Sequence, residues 1–139
     1  MQNFNGQYAG ILLETKNKEI ILQQRDTNPS VINSGKITTF GGSVKSTETP
    51  RQAAARELQE ELSLKIDPKE FVDFGVYTKD KDTHGQDRIC NISLLRNIST
   101  DKLIVNEGIG FVLVSEQTKL ETLNLSVLTK EILHDYFKK

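Results

Sequence analysis

The stretch Gly41-Gly42-Ser43-Val44-Lys45-Ser46-Thr47-Glu48-Thr49-Pro50-Arg51-Gln52-Ala53-Ala54-Ala55-Arg56-Glu57-Leu58-Gln59-Glu60-Glu61-Leu62-Ser63-Leu64 begins as a glycine loop and ends as a helix. Thr49 is a good N-cap residue, and Pro50 falls at the first helical position, where its missing N–H costs nothing. Gln52, three residues beyond Thr49, completes a capping-box pattern. Ala53, Ala54 and Ala55 are strong helix formers, so the spacing predicts a helix that runs to about Leu62.

That helix has two faces. At roughly 100° per residue, Ala55, Leu58 and Leu62 line one side, while Glu57, Glu60 and Glu61 gather on the other. Like charges three and four residues apart cost a few tenths of a kcal/mol per pair. All three acids also lie beyond the first turn, which is the only part of the helix where the dipole would favour them. A solvated acidic face is the bland reading. The chemical one is a site for a hard divalent cation, which binds carboxylate oxygens together with substrate phosphates.

The spacing favours the chemical reading. The segment resembles the Nudix box, G-x5-E-x7-R-E-U-x-E-E-x-G-U, in which U is a bulky aliphatic residue. Gly42, Glu48, Arg56-Glu57, Leu58, Glu60-Glu61 and Leu64 occupy its fixed positions. One specified position departs: Ser63 stands where the family has glycine. That glycine ends the helix in a left-handed conformation, which costs a serine about 1 kcal/mol. The departure bears on helix-end geometry and leaves the acid set intact.

Working outward, the chain has 139 residues, enough for one domain with a real core, taken as 1–139. The net charge of −1 offers no broad basic field to attract nucleic acid or anionic membrane, so neither is an expected partner. A phosphate-bearing partner must instead be held locally. The single cysteine, Cys90, sits in a strand-like setting and reads as a small buried thiol rather than a nucleophile. No leader-like apolar run and no membrane-length apolar stretch stands out, so a soluble cytoplasmic protein, monomeric or homodimeric, is expected.

Upstream of the box, residues 8–14 and 20–24 read as two apolar strands around a turn at 16–19. Residues 25–36 have loop chemistry, and 37–40 form a short strand leading into the glycines. Downstream, 71–78, 88–95 and 108–114 read as strands, with 103–105 a further short one. A short helix is expected from Ser115 to about Leu120. A stronger one spans 127–137, with Leu128, Ile132 and Tyr136 on one stripe. Several strands, a central helix and a C-terminal helix make an α+β protein. The family resemblance narrows this to an α/β/α sandwich with a central mixed sheet, the loop-helix-loop and the C-terminal helix.

The same resemblance implies divalent-metal-dependent hydrolysis of a diphosphate linkage in a nucleoside diphosphate derivative. The expected substrate is a small-molecule nucleotide, a nucleoside triphosphate or a relative of one. Mg²⁺ is the implied cofactor, with Mn²⁺ an alternative. Glu57, Glu60, Glu61 and the Gly41 carbonyl are the implied metal ligands, and Glu57 is equally open to the general-base role. Arg56 reads as structural, pairing with Glu48 or Glu60. Glu107 is the candidate acid from outside the box, ahead of Asp82, Asp87 and Asp101. Arg25 and Gly42 are implied substrate contacts, and His84 is a weaker one. Phe40, Phe74, Tyr77 and Phe111 are the aromatics available to stack on a base, although core packing is their commoner fate. Nucleotide sugars, ADP-ribose and a non-catalytic nucleotide sensor remain as alternatives.

Overall fold

Gln7–Glu14 (β1) and Ile20–Gln24 (β2) form an antiparallel hairpin in a computed structural model that describes residues 6–30, 33–78 and 88–138. Both strands are apolar on successive residues because both faces of the sheet are covered. Alternate side chains point to opposite faces. Ala9, Ile11, Leu13 and Ile21 enter one core, and Leu12, Ile20 and Leu22 enter the other.

The remaining elements are Ile37–Thr38 (β3), Phe40–Ser43 (β4), Pro50–Leu62 (α1), Val72–Tyr77 (β5), Ile89–Leu95 (β6), Gly110–Val114 (β7) and Val127–Lys138 (α2). The seven strands make one mixed sheet. Its main path is β3-β2-β1-β6-β5, with β4 also paired to β1 and β7 to β2. Among the described strand pairs only β1 and β6 run parallel, from Gln7 opposite Ile89 to Leu13 opposite Leu95, and a single parallel bridge joins Ile37 to Leu125. Helix α1 closes one face through Ala53, Ala54, Leu58 and Leu62, and α2 closes the other through Leu128, Ile132, Leu133 and Tyr136. The result is the expected α/β/α sandwich. Cys90 is buried in the α2-side core.

Two further contacts fix the helices. The Thr49 hydroxyl accepts from Gln52 N at 3.2 Å, and Thr49 N donates to Gln52 Oε1 at 2.9 Å, so the capping box is real. At the far end Ser63 adopts φ 54, the left-handed conformation expected of its position. On the other face, the Tyr136 hydroxyl donates to the buried Glu14 carboxylate and moors α2 to the end of β1.

Three expectations need correction. Residues 37–40 divide into β3 and β4. Residues 103–105 are not a strand: Ile104 N donates to Leu62 O and Asn106 N to Glu61 O, so this segment serves the end of α1. No helix starts at Ser115. Its side chain instead accepts from Gln117 N, while Thr118 Oγ1 accepts from Ser115 N, and these local bonds compete with helix formation. Among the described residues, no helix is long and apolar enough to cross a membrane.

Candidate active site

β1 shares one edge between two partners. Tyr8 to Ile11 pair with β4, and Leu13 and Glu14 pair with β2. Beyond that junction Gln23 and Gln24 of β2 pair with β3, while β7 pairs along the whole of β2. A cleft of about 300 Å³ opens there, lined by residues of β1, β3, β4 and α1, by Arg25, and by Glu107.

The paired glycines let the loop and helix approach the cleft. Gly41 has φ 147, and a Cβ on it would strike the Ala9 carbonyl and the Gly10 Cα. A Cβ on Gly42 would strike the Glu57 carboxylate. One glycine therefore admits β4 to β1, and the other admits the acid of α1 to β4.

Arg56 is the hub of the loop-helix unit. It grips Glu48 with two bonds, Nε to Oε2 at 2.6 Å and Nη2 to Oε1 at 3.0 Å. The same guanidinium reaches Glu57 at 2.9 Å, Glu60 at 3.4 Å and the Ser43 carbonyl at 3.0 Å. The expected pairing with Glu48 and Glu60 is present, and Glu57 joins it. Hydrogen bonding to Arg56 holds the Glu48 carboxyl below its ordinary range against the opposing effect of burial.

The three acids of α1 do not share one exposed face. Glu60 is exposed and Glu57 half-buried, while Glu61 is only 2% exposed and accepts from Gly41 N at 3.0 Å. Burial, then the charge of Glu57, push the Glu61 carboxyl up to about 8, and Glu107 adds to the effect. Burial also raises the Glu57 carboxyl, against the opposing pull of Arg56 and with the charges of Glu60 and Glu107 adding to the rise. Glu107 lies on the rim of the cleft, and Gln23 Nε2 donates to its carbonyl at 3.4 Å. Among the described residues, no three acids converge on one point. Like charges instead take separate partners, Glu57 and Glu60 at Arg56 and Glu61 at Gly41 N. Repelling carboxylates around one guanidinium that is already gripped by Glu48 leave surplus oxygen ligands, which suits a hard divalent cation.

The opposite wall is polar. Arg25, half-buried, donates from Nη1 to Gln23 Oε1 at 3.3 Å, but its Nε has no partner among the described residues. The buried Thr38 Oγ1 is likewise unpartnered. Tyr8, Thr39, Arg88, Ser126 and Thr129 complete this wall. The sequence did not reveal them, because Tyr8 and Arg88 meet only through the parallel β1–β6 pairing, which brings the Arg88 guanidinium 4.8 Å above the Tyr8 ring. None of the four expected stacking aromatics lines the cleft. Phe40 is fully buried, Phe74 and Tyr77 pack on the α2-side core, and Phe111 packs on the other. Asp101 is exposed on a 3₁₀ turn and does not line the cleft, and Asp82, His84 and Asp87 lie outside the described residues.

The mixed-sheet sandwich is a fold with many solved relatives. A MutT Nudix hydrolase from Burkholderia pseudomallei superimposes with TM-score 0.74 at 19% identity, covering 92% of this chain and 95% of its own. A MutT protein from Methanosarcina mazei Go1 gives TM-score 0.71 at 21% identity, covering 95% and 89%. A bifunctional NMN adenylyltransferase/ADP ribose pyrophosphatase from Francisella tularensis, complexed with AMP and a Mn ion, gives 0.73 at 16% identity; the match covers 96% of this chain but 41% of that one. These likenesses show the fold. The NUDIX domain family model matches residues 5–121, and the chain belongs to that family. It is a Nudix pyrophosphohydrolase, of the class that hydrolyses nucleoside diphosphate derivatives with divalent metal ions.

Proposed function

We propose that the chain is a cytoplasmic, Mg²⁺-dependent pyrophosphohydrolase acting on a nucleoside triphosphate or a related nucleotide. The observation that carries this reading is the set Glu57, Glu61 and Glu107 around one cleft, with Glu60 one helical turn from Arg56. Glu57, Glu60, Glu61, Glu107 and the Gly41 carbonyl would hold the cation. A bound divalent ion supplies neutralisation of phosphate oxygens and a more acidic water. In the displacement, water oxygen bonds to phosphorus, the bridging P–O bond breaks, and the water proton passes to a carboxylate, for which Glu57 is our candidate. Arg56 fixes the rotamer of Glu57 and anchors the loop; it is a positioning residue. Arg25 and Thr38 line the cleft, and each keeps a buried polar atom with no partner among the described residues, which supports a substrate-contact role for that wall. Gly42 lines the same cleft beside the Glu57 carboxylate, and its backbone is our candidate for a further substrate contact.

A nucleotide sugar or ADP-ribose is the second reading. The cleft presents hydroxyls and two arginines, and the one aromatic ring lining it among the described residues, Tyr8, is covered by Arg88. Such a wall suits an oxygen-rich group better than a base stacked on a ring.

The test is phosphate and nucleotide release from a panel of unmodified and oxidised nucleoside triphosphates, nucleotide sugars, dinucleoside polyphosphates and ADP-ribose, with Mg²⁺, Mn²⁺ or chelator. Chelator-sensitive release from one class identifies the substrate. Glu60→Gln and Glu61→Gln should each reduce turnover about a hundredfold or more while melting cooperatively. Full activity in both would refute the metal assignment. No release from any compound would shift weight to a nucleotide sensor.

A further inference from the structure

The last four carbonyls of a helix lack intrahelical partners and must find donors elsewhere. At the end of α1 the donors come from one short segment. Ile104 N reaches Leu62 O at 3.1 Å, Asn106 N reaches Glu61 O at 2.8 Å, and Asn106 Nδ2 reaches Glu60 O at 3.0 Å. The same amide group donates its second hydrogen to Ser63 Oγ at 2.8 Å. An asparagine amide has two such hydrogens, so this one is fully used.

Immediately beyond Asn106 stands Glu107, and the chain is pinned again on its far side. Ile109 N donates to Gln24 O at 3.1 Å, and Gly108 takes φ 79 against that same carbonyl. Glu107 is thus suspended between α1 and β2, close enough for its charge to be felt at both Glu57 and Glu61. Ser63 is the residue that departs from the family pattern. It holds a left-handed conformation that glycine would adopt without strain, and its hydroxyl supplies the acceptor that glycine lacks.

We propose that Ser63 and Asn106 form a clasp that positions Glu107 as the fourth acidic ligand of the cation, a proposal that rests on the reading of Glu107 as a ligand. The clasp joins the ligand helix to the external acid, so the two halves of the site move together. A simple helix cap needs only the donors to the carbonyls of Glu60, Glu61 and Leu62. The side-chain pair adds a fixed lateral position for the residue next to the ligand.

The two accounts part at the metal affinity of Ser63→Gly. Glycine relieves the left-handed strain, so a cap alone predicts a thermal midpoint at or above that of the parent and unchanged metal binding. The clasp predicts the same or higher midpoint together with Mn²⁺ affinity weakened about tenfold. Mn²⁺ binding is measured on the full chain without substrate, by paramagnetic resonance of the free ion, beside a thermal melt. Asn106→Ala should weaken Mn²⁺ to a similar degree, and the double variant should be no weaker than the worse single one. If Asn106→Ala fails to melt cooperatively, Ser63→Gly decides the matter alone. Parent-like Mn²⁺ binding by Ser63→Gly, at any midpoint, overturns the clasp. Glu107→Gln separates the two levels. Weakened binding by Glu107→Gln with parent-like Ser63→Gly leaves the ligand and removes the clasp; parent-like binding by Glu107→Gln removes both.

Discussion

At the residue scale, Arg56 shows why charge alone does not describe the site. Its guanidinium makes a two-point grip on Glu48 and reaches Glu57, Glu60 and Ser43 from one plane. A lysine would keep the charge and lose the fork. Arg56→Lys should therefore lower kcat/KM about tenfold to a hundredfold, read from steady-state kinetics at saturating Mg²⁺. A pH signature accompanies it. Glu48 is held below its ordinary 4.5 in the folded state. A depressed folded value gives stability that is present above the unfolded value and lost as pH falls through the folded one. The variant forfeits part of that protection, so its acid unfolding midpoint should move to higher pH. An unmoved midpoint would mean that the grip is energetically idle.

At the element scale, α1 was legible because its signals are local. Thr49, Pro50 and Gln52 set its start within four residues, and the left-handed Ser63 sets its end. Thr49→Ala removes the cap acceptor for Gln52 N and should cost about 1 kcal/mol. The change should show as a lower urea midpoint with an unchanged slope. Two short segments were misread because their backbone groups find partners that composition does not reveal. Leu103-Ile104-Val105 has strand character, yet its donors serve the carbonyls of α1. Ser115 to Leu120 has helical composition, yet Ser115 and Thr118 close a side-chain turn. The box acids were legible as residues, but the inward turn of Glu61 depends on its meeting with Gly41 of β4, twenty positions away.

At the scale of the whole molecule, the sandwich is closed by tyrosine hydroxyls as well as by apolar contact. The chain has three tyrosines, and all three are raised above the ordinary 10. Burial is the leading cause in each. The Glu14 carboxylate adds to it at Tyr136, and Asp135 adds to it at Tyr77. Folded values that are raised give stability present below about 10 and lost as pH rises beyond it. Tyrosinate absorbance should therefore appear together with the loss of helical circular dichroism, above the pH at which free tyrosine ionises. Smooth ionisation near 10 with the helices intact would show that the rings are accessible. The polar wall of the cleft belongs to this scale too. Tyr8, Arg88 and Thr129 come from distant parts of the chain, and only the assembled sheet makes them neighbours.

The parallel pairing of β1 with β6 also sets a timetable for synthesis. About 80 residues separate Gln7 from its partner Ile89. At roughly 5–20 residues per second, a ribosome needs about 4 to 16 seconds to make that interval. Throughout it, the β1 edge destined for β6 has no strand beside it, although the hairpin to β2 and the contact with β4 can already form. A chain arrested before β6 would carry every acid of the helix and still present an open, apolar sheet edge. Such a fragment would be drawn to other copies of itself before it could hold a nucleotide.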